Sequence, residues 1–124
     1  MSGLRTIVIG FGQIADGLRH DARMAEHFGY ATHAQVLDAH PGFDWLGVVD
    51  PSDAALNAAK DWNILHISAD IASVAKVVEP EVAVITAPPG ARTEIVHQLP
   101  SLKAVLVEKP LCSGDESGEA FVKF

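Results

Sequence analysis

Short apolar runs alternate along the chain with segments whose apolar residues recur at helical spacing. Thr6-Ile7-Val8-Ile9 is continuous, rich in β-branched residues and ended by Gly10, as a strand buried on both faces should be. Trp45-Leu46-Gly47-Val48-Val49 is the second such run and ends in Asp50; Ile64-Leu65-His66-Ile67 is a shorter third. The fourth, Val82-Ala83-Val84-Ile85, runs into Thr86 and two prolines, and the fifth, Ala104-Val105-Leu106-Val107, ends at Glu108. Between them, Tyr30, Ala34 and Leu37 mark a helix stopped by Pro41-Gly42. Ala55, Ala58, Ala59 and Trp62 mark another, with Ser52 or Asp53 as N-cap. Ile71, Val74, Ala75 and Val78 mark a third, and a shorter helix runs from about Ala91 to Gln98, before Pro100. Strands alternating with helices in this way predict βαβ crossovers and a mostly parallel sheet. The fold class expected is therefore a doubly wound α/β domain of the Rossmann type, strand order 3-2-1-4-5, spanning residues 1–124.

Four strand ends carry chemistry. Gly10-Phe11-Gly12-Gln13-Ile14-Ala15 is a G-x-G-x-x-A placed directly after the first strand. Gly10 permits the tight turn, Gly12 lets backbone approach a pyrophosphate, and Ala15 allows close helix–strand packing. The phosphates of a dinucleotide would meet backbone N–H groups there. Asp50, at the end of the second strand, is the residue type that accepts hydrogen bonds from the adenosine ribose and repels a 2′-phosphate, so NAD is expected over NADP. A capping role before Pro51 is the competing reading. The acid of this fingerprint ordinarily lies ~20 residues beyond the glycines, whereas Asp50 follows Ala15 by 35. An insertion of roughly a dozen residues between Asp16 and Phe28 accounts for the difference. Thr86-Ala87-Pro88-Pro89-Gly90 must turn at the carboxyl edge of the sheet, where ligands bind in open α/β folds. At the same edge stands Glu108-Lys109-Pro110, with Lys109 able to polarise a carbonyl or steady an alkoxide and Glu108 to hydrogen-bond a ribose.

Taken in order, Gly10-Phe11-Gly12-Gln13-Ile14-Ala15, Val48-Val49-Asp50-Pro51, Ile85-Thr86-Ala87-Pro88-Pro89 and Val107-Glu108-Lys109-Pro110-Leu111 resemble the Gfo/Idh/MocA (glucose–fructose oxidoreductase / inositol dehydrogenase) family. The resemblance implies an NAD(P)-dependent oxidoreductase of sugars, inositols or related polyols, this chain being its dinucleotide-binding domain. It implies cofactor contacts from Gly10, Phe11, Gly12, Gln13, Ile14, Asp50, Pro51, Thr86, Ala87, Pro88, Pro89, Glu108 and Lys109, with Lys109 catalytic. Members carry a second, substrate-binding domain, expected beyond Phe124. A capping box at Ser113-Gly114-Asp115-Glu116 predicts a last helix in which the chain ends. One departure is Arg92, where the family often has histidine.

The totals narrow the alternatives. A net charge of −7, without a basic cluster, argues against nucleic acid and anionic membrane as partners. One cysteine, Cys112, excludes an internal disulfide and fits a reducing cytoplasm. No signal-peptide pattern opens the chain, and no apolar run approaches the ~20 residues of a membrane span. The six histidines lack metal-ligand spacing, so no metal site is expected; His33 and His97 read as helix residues and His40 as part of a helix stop. A fifth strand left at the sheet edge predicts self-association into a homo-oligomer. Two other function classes stay open: a non-enzymatic dinucleotide-sensing module, and a methyltransferase-like domain for S-adenosylmethionine.

Overall fold

The computed structural model describes residues 3–12, 32–86 and 91–107. Their elements are β1 (Leu4–Ile9), α1 (His33–Ala39), β2 (Phe43–Val49), α2 (Asp53–Ala59) with a 3-10 turn at Lys60–Trp62, β3 (His66–Ser68), α3 (Ile71–Val78), β4 (Val82–Ile85), α4 (Arg92–His97) and β5 (Ala104–Val107). The five strands form one parallel sheet in the order β3-β2-β1-β4-β5. The α/β Rossmann-type architecture and the strand order are those expected from the sequence.

The two sheet faces hold separate cores. Ile7, Ile9, Val49, Ala83 and Ile85 pack under Val74 and Val78 of α3 and Ile95 and Val96 of α4. On the other face, Val8, Val48 and Val84 meet Ala34 and Leu37 of α1, with Ala55, Ala58 and Trp62 from α2 and its 3-10 turn. Successive residues of β1 and β4 thus point to opposite faces and both are buried, which is why these strands read as continuous apolar runs.

Local chemistry sets the element ends. Thr32 caps α1 in a capping box with Gln35, and the α1 stop uses His40, whose Nδ1 accepts the Gly42 N–H at 2.9 Å. Ser52 caps α2 by accepting from the Ala55 N–H, and Asp70 caps α3. The predicted helix through Trp62 is α-helical only to Ala59, then tightens to 3-10 and ends at Asn63 in the left-handed region, φ 58°. That reversal leaves Ile64 and Leu65 outside the strand, so β3 begins two residues later than the apolar run does. Tyr30 and the proposed helix at Ser113 lie outside the described residues, as does the stretch from Asp16 to Phe28.

β2 departs from simple alternation. Thr6 pairs with Trp45, but Ile7 pairs with Gly47, so Leu46 is an extra residue in β2. Leu46 packs on the α3 side, and a Cβ on Gly47 would lie on that side too, 2.8 Å from Val74 Cγ1 and 2.9 Å from Ile7 Cγ2. Trp45 and Val48 consequently share the α1 face although they are three apart. The Trp45 indole donates to the Gly47 carbonyl at 3.1 Å, holding the bulge.

At the amino edge of the sheet, Glu81 joins three segments. It accepts from the Arg5 amide, pairs with the Arg5 guanidinium at 3.2 Å and with Lys103 Nζ at 2.8 Å. Arg5 Nε also donates to the carbonyls of Val78 and Glu79 at the end of α3. The Lys103 ammonium and the Arg5 amide hold the Glu81 carboxyl below the usual glutamate range, against partial burial that pushes it up. A carboxylate with a depressed folded-state pKa stabilises above its unfolded value, and that contribution is lost as pH falls through the folded pKa. The stability difference between the wild type and Glu81→Gln should therefore be full at neutral pH and close below about pH 4, where unfolded glutamates protonate. Denaturant melts of both proteins across this range check it; a pH-independent difference would contradict it.

Candidate functional site: the carboxyl edge of the sheet

The carboxyl ends of β1, β2 and β4 converge on one short loop. Gly10 follows Ile9 with φ 91°, a left-handed conformation natural to glycine. Its N–H donates to the carbonyl of Val49 at 2.8 Å, and its carbonyl accepts the Thr86 hydroxyl at 2.6 Å. Thr86 N–H donates in turn to the carbonyl of Ile9 at 2.9 Å. The loop is thereby fixed to the strand on either side of β1.

Asp50 is the second fixed point. Its Oδ2 accepts the Phe11 N–H at 2.7 Å, and its Oδ1 accepts the Ser52 N–H at 2.8 Å. Its own N–H donates to the Ser68 carbonyl of β3 at 3.2 Å. An ionised carboxylate has about four lone-pair positions, and these two bonds leave acceptor capacity on each oxygen. Asp50 is not the cap of α2, a role that falls to Ser52; it holds the Ser52 amide at the turn into that helix and retains acceptor capacity for an external donor.

The two glycines of the loop differ in their surroundings. Gly12 is exposed, and among the described residues nothing lies within 4 Å of where its Cβ would be. Phe11 between them is 3% exposed and buried among the α1-side core. The Gly12 backbone is exposed while the Phe11 side chain faces inward. Pro51 is exposed and leads into the cap of α2.

Among the sequence-derived candidates, the structure brings together Gly10, Phe11, Gly12, Asp50, Pro51 and Thr86. Gln13, Ile14, Ala87, Pro88, Pro89, Glu108 and Lys109 lie outside the described residues, as do Ala15 and Cys112. β5 reaches this same edge, with Val107 opposite Ile85. Arg92, in the first turn of α4, is buried to 2% exposure. Sequence reasoning missed Ser52 as a partner of the Asp50 carboxylate and Thr86 as a donor to the glycine loop. The one available signal was the Asp50-Pro51-Ser52 order, which favours a side-chain-to-backbone turn. Among the described residues no three His, Cys, Asp or Glu side chains gather as a metal site, and no helix is long and apolar enough to cross a membrane.

A parallel sheet with a glycine loop after β1 and an anchored acid after β2 defines a dinucleotide-binding Rossmann domain. The chain belongs to the Gfo/Idh/MocA oxidoreductase family: the model of its NAD-binding Rossmann fold matches residues 4–123. Solved structures agree on the fold. The WlbA dehydrogenase of Chromobacterium violaceum, crystallised with NADH and UDP-GlcNAcA, superposes with a TM-score of 0.72 at 21% identity, over 99% of this chain and 32% of that one. Myo-inositol 2-dehydrogenase of Lactobacillus plantarum gives 0.72 at 20% identity, over 98% and 32%. Scyllo-inositol dehydrogenase of Lactobacillus casei, with NAD(H) and scyllo-inositol, gives 0.64 at 16%, over 90% and 29%. The chain thus spans about a third of the length of these structural relatives. No curated protein sequence matches it.

Proposed function

We propose that the chain is the cofactor domain of an NAD-dependent dehydrogenase of sugars, inositols or related polyols. The observation that carries this reading is the Asp50 carboxylate, held by the Phe11 and Ser52 amides at 2.7 and 2.8 Å beside a glycine loop in which Gly12 is exposed. The residues fit a dinucleotide: Gly12 and the amides that follow would receive the pyrophosphate, and the free lone pairs of Asp50 would receive the adenosine ribose hydroxyls. A carboxylate at that point repels a 2′-phosphate, so NAD is preferred to NADP. When bound, NAD supplies the acceptor for a hydride from a carbinol carbon.

Lys109, two residues beyond the end of β5, is the group proposed to act on the substrate oxygen, and Glu108 on a ribose near it. The similar structures include enzymes named for inositols and one crystallised with a nucleotide sugar acid, which supports the polyol class. Their further length supports a second domain that encloses the substrate. Hydride transfer requires the reacting carbon to be held against the nicotinamide and a base for the hydroxyl proton. The cofactor domain alone should therefore bind NAD and turn over no polyol. Self-association through the β5 edge, where Leu106 is 49% exposed, belongs to the same reading.

Calorimetric titration of NAD, NADP and S-adenosylmethionine into the 124-residue chain tests the proposal. NAD should bind, NADP should bind more weakly and S-adenosylmethionine should not bind. Tighter NADP binding would overturn the role given to Asp50. Binding of neither dinucleotide, or dehydrogenase turnover by the chain alone, would overturn the reading as a whole.

A further inference from the structure

Phe11 occupies a position where a side chain has nothing to offer a pyrophosphate, because the anion is met by backbone N–H groups. Yet this side chain is 3% exposed and belongs to the core cluster of Val8, Ala34, Leu37 and Val48. Its ring lies 5.9 Å from that of Trp45, tilted by 41°, and Trp45 lies 5.8 Å from Trp62. The three rings form a row from the glycine loop across β2 to the 3-10 turn after α2. Tilted aromatic pairs at such separations attract beyond their burial.

The backbone of the same residue is held from another direction by Asp50, at 2.7 Å. Gly10, at φ 91°, is the hinge that turns the Phe11 side chain inward. Freed of its ring, Phe11 would keep only the backbone anchor on Asp50, and the loop at Gly10 to Gly12 would explore other conformations. Rigidity before binding raises affinity by removing an ordering cost.

We infer that Phe11 is a positioning residue for the dinucleotide, acting through its ring on Trp45 rather than by contact with the ligand. The inference rests on the NAD reading above, and its test separates the two. Affinity for NAD is measured by calorimetry, and exchange of the Phe11 and Gly12 amides by NMR, at a temperature where every variant is folded. Phe11→Leu should weaken NAD binding about threefold and Phe11→Ala at least tenfold, with faster exchange of the Phe11 amide in both. Leu37→Ala removes a side chain of the same core on α1 and serves as the control for lost stability. It should lower Tm by a comparable amount, yet leave affinity within twofold and the Phe11 amide protected. The inference is overturned if Phe11→Leu binds NAD as the wild type does with unchanged amide exchange, or if Leu37→Ala loses as much affinity. Should Phe11→Ala fail to fold, the Phe11→Leu and Leu37→Ala comparison decides alone. A wild type that binds no NAD sinks the proposed function; unchanged Phe11 amide exchange in the variants then sinks the loop anchoring separately.

Discussion

Asp50→Ala should raise the Kd for NAD by about 30- to 150-fold, equivalent to roughly 2–3 kcal/mol. Two losses combine. The ribose hydroxyls lose a charged acceptor, and hydrogen bonds to charged groups contribute about 1.5–3 kcal/mol. The glycine loop also loses the acceptor of its Phe11 amide, and the turn into α2 loses that of Ser52. The second loss is independent of which dinucleotide binds. Removing the carboxylate relieves repulsion of a 2′-phosphate, so the preference for NAD should narrow, but NADP should not reach the affinity that the wild type has for NAD. Asp50→Asn should behave similarly, because its amide NH₂ would face one of two backbone N–H donors. Calorimetry with both dinucleotides checks this. An Asp50→Ala protein that binds NADP more tightly than the wild type binds NAD would show that the carboxylate does not organise the loop.

Gly47→Val should cost about 3 kcal/mol and lower Tm by roughly 10 °C. A Cβ alone would lie 2.8 and 2.9 Å from methyl groups of Val74 and Ile7, both buried and both stiff at χ1. Neither neighbour can move aside without disturbing α3 or β1. The consequence reaches the site, because the bulge resets the register of β2. Past it, Val49 lies opposite Ile9 and its carbonyl accepts the Gly10 N–H, which sets Asp50 beside the loop. A one-residue slip would exchange the faces of Val48 and Val49. Variants that survive folding should therefore bind NAD more weakly as well. Urea unfolding of Gly47→Val and Gly47→Ala measures the effect; a Gly47→Val protein within 0.5 kcal/mol of wild type, the range of unremarkable surface changes, would remove the steric argument.

Much of this architecture is legible in one dimension because the physics is local. β1 and β4 are buried on both faces and so are continuous apolar runs. α3 announces itself through Ile71, Val74, Ala75 and Val78. The bulge was not legible: Leu46-Gly47 inside an apolar run has the composition of an ordinary strand, and only the pairing with Thr6 and Ile7 reveals the extra residue. β3 was misplaced because the left-handed Asn63 delays it, and asparagine is compatible with many other turns. In the site, Asp50 was found from its place at a strand end. Its bond to Phe11 joins residues 39 apart, and that from Thr86 to Gly10 joins residues 76 apart. The Arg5–Glu81 contact likewise spans 76 positions. No local pattern encodes such pairs; they exist only once the parallel sheet has set its strands side by side.

The central claim is that the carboxyl edge of this sheet, at Gly10 to Gly12 and Asp50, receives NAD. An NMR titration of the isotope-labelled chain with NAD tests it most directly. The amides of Phe11, Gly12, Asp50 and Ser52 should shift and saturate with a common Kd, while those of Arg5, Glu81 and Lys103 at the opposite edge stay in place. Shifts confined to the Arg5–Glu81–Lys103 edge, or no saturable shift at Gly12 and Asp50, would contradict it.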